Sequence, residues 1–299
     1  PLSVAQFNGG QSNPTYCLTT PTARYVLRRK PPGPLLKGAH DVLREARVQQ
    51  GLAGTDVPVA RIFAVCEDEA VIGSAFYVMD MVEGRVIWDA TFAEVPRESR
   101  AAYFDEMNRV IAALHSVDYQ AVGLGDYGKP GNYFARQIGR WTRQYLEDEL
   151  AGRDPDMDAL VEWLPTAIPQ GDETSIVHGD FRCDNMIFHP TEPRVLAVLA
   201  MMYRMPSDIV AGLSGQDPVP LGLPTEAEYI AAYCQRTGRT SIPNWDFYLA
   251  FNFFRLAAIF HGIKGRVIRG TATNAQAKDR AEAFPRLSAL AREAMEKCR

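Results

Sequence analysis

The sequence predicts an α+β protein in two lobes, a small β-rich first lobe over residues 1–82 and a larger, mainly helical second lobe over residues 83–299. Three observations carry that expectation. Short runs of β-branched and aromatic residues dominate the first 90 or so positions. From about residue 97 the apolar spacing changes to the three-and-four step of helices. A chain of 299 residues with 46% hydrophobic content can also bury a substantial core.

Taken in order, Tyr25 to Arg29 alternates as a strand does and is stopped by Pro31-Pro-Gly-Pro. Residues 40–50 show helical spacing at Val42, Leu43, Ala46 and Val48, with Gly51 as the expected stop. Two further strands are expected at Val59 to Cys66 and Ala75 to Met81, the second leaving through a polar, glycine-bearing connector that ends at Gly84. Arg100 to His115 carries one apolar face through Tyr103, Phe104, Met107, Val110, Ile111 and Leu114, and Tyr133 to Leu150 is a second long helix. A strand pair, Met186 to His189 and Arg194 to Leu199, is joined by a Pro190 to Pro193 turn. Helices return at 225–237, 246–264 and 275–297.

Composition narrows the function classes. The formal charge of -4 is small and the basic residues are scattered, so neither nucleic acid nor an anionic membrane is called for. No apolar run approaches a membrane span and the first thirty residues lack a signal-peptide core, so a cytoplasmic protein is expected. Cys17, Cys66, Cys183, Cys234 and Cys298 are odd in number and far apart, which fits reduced thiols rather than disulfides or zinc.

The chemistry concentrates in the octet His178 to Asn185, HGDFRCDN. In phosphoryl transfer a His-x-Asp stretch supplies the aspartate that accepts the proton of the attacking hydroxyl, and an asparagine after four intervening residues binds Mg²⁺. Those roles fall to Asp180 and Asn185; the bland alternative is a polar turn between strands. His178 suits a backbone-fixing role, Arg182 and Asp184 suit a pair on the loop surface, and Cys183 suits a small side chain turned away from the chemistry. Phosphate needs backbone amides on a loop that can approach closely, and Phe7 to Tyr16 offers one, with Gly9, Gly10 and Ser12 as candidates. A plain hairpin turn fits the same residues. Arg28 occupies the strand position from which a cation reaches the α- and β-phosphates, and Glu45 on the following helix is its natural partner. A solvated basic strand through Arg28, Arg29 and Lys30 competes with that reading. His115, His189 and His261 have no metal-ligand spacing and read as structural, and the stripe from Trp245 to Ile259 reads as core.

Over nearly its whole length the chain resembles the aminoglycoside phosphotransferase family, through FNGGQSNPTY, YVLRRKPPG, REARVQQGL, FYVMDMVEG, GNYFARQIGRW and HGDFRCDNMIFHP. It is most similar to the branch related to kinase-like domains joined to acyl-CoA dehydrogenases. The resemblance implies a bilobal protein-kinase-like fold, ATP and Mg²⁺, and transfer of the γ-phosphoryl group to a hydroxyl of a small molecule: an aminoglycoside, a hydroxy acid or a hydroxyacyl-CoA. It also implies that residues 79–83 are the inter-lobe hinge, with Met79 and Met81 against the adenine. Oligomeric state is left open. The other reading is a non-catalytic pseudokinase that binds a nucleotide or acyl-CoA.

The chain departs from the family pattern after Leu199. There the family carries a Mg²⁺-binding aspartate, and this sequence has Ala200 followed by Met201-Met-Tyr-Arg-Met-Pro. A hard cation needs oxygen donors, which alanine and methionine do not supply. Omission of some fifteen to twenty residues between Leu199 and Met201 is the favoured explanation, judged against usual loop lengths. True loss and replacement by Asp208 are the alternatives.

Overall fold

The computed structural model describes residues 1–299 apart from 8–12, 32–40, 172, 180, 198–204, 210–211, 273–275 and 299. Five antiparallel strands form one sheet in the order β1-β2-β3-β5-β4: β1 (Ser3–Gln6), β2 (Thr15–Thr19), β3 (Arg24–Arg29), β4 (Ile62–Cys66) and β5 (Phe76–Asp80). Helix α1 (Val42–Leu52) lies between β3 and β4 in sequence. The alternation noted at Tyr25 to Arg29 sorts β3 as expected: Val26 is buried, and Val26 and Arg28 share the face that α1 covers. Val42 and Ala46 of α1 pack there against Ala75 and Tyr77.

Gly51 does not stop this helix. The helix continues to Leu52, because the glycine serves close packing: a Cβ at residue 51 would meet the Val122 carbonyl oxygen at 2.9 Å. Asp41, one residue ahead, supplies the start, its side chain accepting from the Arg44 amide at 3.1 Å.

Two compact units divide the chain. The first, Pro1–Tyr127 with Ser175–Gly238, holds the sheet, α1, α2 (Arg100–Ser116), the strand pair β6 (Ile187–Phe188) and β7 (Val195–Ala197), and α5 (Glu226–Thr237). Its largest core joins Phe92, Tyr103, Phe104, Met107 and Val110 to Cys183, Met186 and Phe188, so the expected apolar face of α2 is what anchors the octet. Burial of such side chains stabilises by about 1.5–3 kcal/mol each. Asn108, fully buried on α2, donates to the Tyr229 carbonyl oxygen at 2.7 Å and accepts from Arg236 at 2.9 Å, tying α2 to α5.

The second unit, Gly128–Thr174 with Arg239–Arg299, is helical: α3 (Tyr133–Glu147), α4 (Pro155–Trp163), α6 (Trp245–Ile268) and α7 (Ala277–Lys297). Of the α6 stripe read as core, Phe251 and Phe254 are buried while Trp245, Tyr248 and Ile259 are half-buried; Phe247, outside that stripe, is buried too, and Phe134 of α3 packs on Phe247 and Phe251. Tyr133 to Leu150 breaks at Asp148, where a 3₁₀ turn follows. Among the described residues no helix is long and apolar enough to cross a membrane.

Candidate active site

The first unit brings Arg28 and Glu45 together. Arg28 Nε donates to Glu45 Oε2 at 2.7 Å and its terminal nitrogen reaches Oε1 at 3.4 Å, a forked pair between β3 and α1. The third nitrogen donates to Thr15 Oγ1 on β2 at 3.2 Å. Burial works against the guanidinium charge, yet the bonds and the charge of Glu45 outweigh it and raise the Arg28 pKa. These partners use three of the five N–H donors and leave two for another anion. The solvated-strand alternative does not describe Arg28, whose side chain is 27% exposed beside a partner at 34%.

Two residues of this cluster escaped the sequence reading. Asn13 is 1% exposed and donates through Nδ2 to Glu45 Oε1 at 2.7 Å, and the Tyr77 hydroxyl of β5 donates to Oε2 at 3.3 Å. Burial first, and Glu45 second, push the Tyr77 phenol up to about 12, so it stays a donor. The alternation of β5 places Tyr77 on the Arg28 face through the Arg28↔Tyr77 register, which was a usable signal. Nothing local points to Asn13 beyond its place after Gly9-Gly-Gln-Ser.

Gly9, Gly10 and Ser12 lie outside the described residues, as does Asp180. Around Asp180 the chain is described. Gly179 has φ +85°, in the left-handed region that favours glycine, and turns the chain directly before the aspartate. Past it, a 3₁₀ turn spans Cys183–Asn185. Cys183, Met186 and Phe188 point into the core, with Phe181 packed against it, and these apolar anchors fix a loop whose remaining positions are polar. Cys183 is therefore inert, as expected: burial, with the charge of Asp184 adding to it, drives its thiol up to about 12. Arg182 and Asp184 pair at 3.0 Å, as expected, but not on the loop surface; their side chains are 17% and 13% exposed, because the 3₁₀ turn draws them inward. Asn185 is half-buried at the end of that turn, and its amide N–H donates to the Arg182 carbonyl oxygen at 3.0 Å.

Met79, one residue before the end of β5, lies on the face shared with Val26 and packs at the α1 core, and Met81 follows the strand directly. The connector then meets the octet's exit strand. Arg85 and Phe188 exchange backbone hydrogen bonds at 2.9 and 2.8 Å, and the Arg85 guanidinium lies over the Tyr103 ring at 5.3 Å while one of its nitrogens bonds the Tyr103 hydroxyl. Connector and octet thus share one anchor on α2.

For a triphosphate the described residues fit: a rigidly held arginine keeps two free donors on the inner face of the sheet. For a magnesium ion they supply Asn185, and among the described residues no group of three or more His, Cys, Asp or Glu is arranged to hold a metal. Asp208, the suggested replacement, is exposed in a turn. Ala200 lies outside the described residues.

Comparison with known proteins agrees with this geometry. The model of the phosphotransferase enzyme family (APH) matches residues 3–199, ending one residue before Ala200. Acyl-CoA dehydrogenase family member 10 of Mus musculus is 40% identical over 310 residues, which cover 97% of this chain and 29% of that protein. The chain therefore spans less than a third of that relative. Because 97% of 299 residues is about 290, some 20 of the 310 aligned positions have no counterpart here. A crystal structure of a candidate aminoglycoside phosphotransferase from Ralstonia eutropha JMP134 is 51% identical, with a TM-score of 0.91 over 99% of this chain and 93% of the other. A thermostable mutant of the aminoglycoside phosphotransferase APH(4)-Ia, in ternary complex with AMP-PNP and hygromycin B, is 15% identical and shares the fold, with a TM-score of 0.58 over 97% and 94% of the two chains.

Proposed function

The chain belongs to the phosphotransferase enzyme family, and from that premise we propose that it is an ATP- and Mg²⁺-dependent small-molecule kinase of the cytoplasm. The observation that carries the proposal is the forked Arg28–Glu45 pair, with two donors left over, in the compact unit that also holds the octet. In this reading residues 1–82 form the nucleotide-side lobe, and residues 83–299 carry the catalytic loop and the acceptor helices. The bound magnesium nucleotide supplies the transferable phosphoryl group. Arg28 and the loop bearing Gly9, Gly10 and Ser12 bind and orient the phosphates, Met79 and Met81 flank the base, and Asn185 holds the metal. Asp180 orients the acceptor hydroxyl and takes its proton. Positioning and charge neutralisation then supply most of the acceleration.

A second oxygen ligand for the metal belongs to the segment that we read as omitted between Leu199 and Met201. The end of the family match at residue 199 and the roughly 20 unmatched positions of the mouse relative support that reading. Intact mass tests it: a native polypeptide of 33.2 kDa removes the idea, and a heavier one upholds it.

The acceptor is a small molecule bearing a hydroxyl. The solved neighbour bound to hygromycin B supports an aminoglycoside-like acceptor, and the relative's acyl-CoA dehydrogenase name supports a hydroxy acid or hydroxyacyl-CoA. ATP turnover against these three classes, compared between wild type and Asp180→Ala, is the deciding experiment. Loss of transfer with nucleotide binding retained is expected; unchanged turnover in the variant overturns the assignment of Asp180. Ala200 favours one second reading, a pseudokinase that binds nucleotide or acyl-CoA without turnover. That reading expects ATP to raise thermal stability equally with and without Mg²⁺ and no phosphorylated product to form.

A further inference from the structure

Four residues close a ring around the candidate phosphate side. The Asn13 side chain donates to Glu45 at 2.7 Å, Glu45 accepts from Arg28 at 2.7 Å, Arg28 donates to Thr15 Oγ1 at 3.2 Å, and Thr15 Oγ1 donates back to the Asn13 carbonyl oxygen at 3.0 Å. Every donor and acceptor in the ring is chemically consistent. The Thr15 hydroxyl gives one hydrogen and accepts another, and the Glu45 carboxylate only accepts.

The orientation of the Asn13 amide follows from the same logic. Its NH₂ must face Glu45, since an amide oxygen there would oppose a carboxylate oxygen. Oδ1 is thereby turned away, and it is buried with no hydrogen-bond partner among the described residues. A buried polar atom left this way is costly, and a leucine of similar volume would avoid the cost. The bond to Glu45 accounts for the amide nitrogen, and the buried Oδ1 is not explained by packing.

We infer that Asn13 is a positioning residue for the nucleotide: it ties the chain leaving residues 8–12 to the Arg28–Glu45 pair, and its Oδ1 is an acceptor kept for a donor that arrives when nucleotide binds. This inference rests on the kinase reading above. The coupling runs in both directions. Displacement of the chain at residue 13 pulls Glu45, and with it the two remaining donors of Arg28. Tyr77 and Gln49 hold the opposite side of Glu45, the Gln49 amide donating to the Tyr77 hydroxyl at 3.2 Å, so that motion enters the ring from the Asn13 side.

The test uses the full chain with a non-hydrolysable ATP analogue and Mg²⁺. Asn13→Leu is expected to lower the melting temperature only modestly, through loss of the bond to Glu45, while weakening analogue binding by about tenfold, the worth of one hydrogen bond. In turnover, KM for ATP should rise more than kcat falls. Unchanged affinity in a folded variant overturns the inference. Asn13→Asp is the second variant, should the first not fold. Its carboxyl faces Glu45, with Arg28 and Tyr77 the other ionisable groups at that carboxylate. Protonated, it donates in place of the amide; ionised, it repels Glu45. Affinity in that variant should therefore recover toward acid pH, and a pH-independent affinity equal to wild type overturns the proposal. If wild type itself gains no stability from the analogue, the kinase reading fails and this inference falls with it. If wild type and Asn13→Leu bind equally well, the role of Asn13 alone is wrong.

Discussion

Gly84 and Phe188 stand so close that a Cβ on residue 84 would lie 2.4 Å from the Phe188 carbonyl oxygen, and 2.4 Å from Cγ2 of Ile187. Gly84 is not among the glycines with positive φ, so the requirement is for space rather than for an unusual backbone. Gly84→Ala must separate the connector from β6 and strain the Arg85–Phe188 pairing. Overpacking of this kind costs about 1–3 kcal/mol. Chemical denaturation should show a correspondingly earlier midpoint, and a variant as stable as wild type would refute the close approach.

The forked pair between Arg28 and Glu45 makes a different prediction. Arg28→Lys keeps the charge but cannot hold both carboxylate oxygens and Thr15 together, whereas Glu45→Gln keeps the shape and loses the charge. A double-mutant cycle on thermal stability should return a coupling of about 1 kcal/mol, at the modest end because both side chains remain partly exposed. Additive effects of the two changes would mean that the pair is not formed.

What the sequence made legible follows from the range of the forces involved. Arg28 and Glu45 could be paired in advance, because phosphoryl transfer asks for a strand cation oriented by a glutamate of the next helix, and strand alternation separates Arg28 from Arg29. The same holds for α5, whose capping box between Thr225 and Glu228 is written locally. Helix α4 was overlooked although its start is also local: Asp154 caps the amides of Asp156 and Met157, and Pro155 sits in the first turn. Gly51 misled, since a glycine that ends a helix and one that admits a neighbour look alike until Val122 is in place. Asn13 could not have been assigned to Glu45, because it lies 32 residues away in a stretch without periodicity, whereas the alternation of β5 puts Tyr77 on the Arg28 face and so within reach of that pair.

Cys183 offers a chemical probe of the octet's anchor. It is fully buried, with its thiol driven up to about 12, while Cys298 is exposed near the chain's end. A maleimide reagent should spare Cys183 in the native protein and modify it only after unfolding, since the thiolate is the reactive form. Peptide mapping after limited labelling checks this. Rapid native modification at Cys183 would mean that the loop opens far more often than its packing against Phe92 and Phe188 implies.

His261 sets a pH dependence in the second unit. It is fully buried on α6, lies 4.7 Å from the Tyr145 ring centroid and 5.1 Å from that of Phe284, and donates through Nε2 to the Gly152 carbonyl oxygen at 2.8 Å. Nδ1 has no partner among the described residues, so protonation would bury a charge without a hydrogen bond on that nitrogen. Burial is the main cause that lowers its pKa below the ordinary 6.5; the Gly152 bond and the charges of Asp148 and Asp154 act the other way, and Lys264 acts with burial. Below 6.5 the unfolded chain takes up a proton that the folded chain refuses, so stability falls as pH drops from 6.5 toward the folded value. Asp148 does not blur this window. Its pKa is lowered from 3.8, chiefly by the bond from Arg269, so its contribution is lost only at more acid pH. Urea midpoints should decline between about pH 7 and pH 5 in wild type. His261→Gln retains a donor toward Gly152 without a titrating ring, and its decline over the same interval should be shallower. Equal slopes in the two proteins would assign the acid sensitivity to another group.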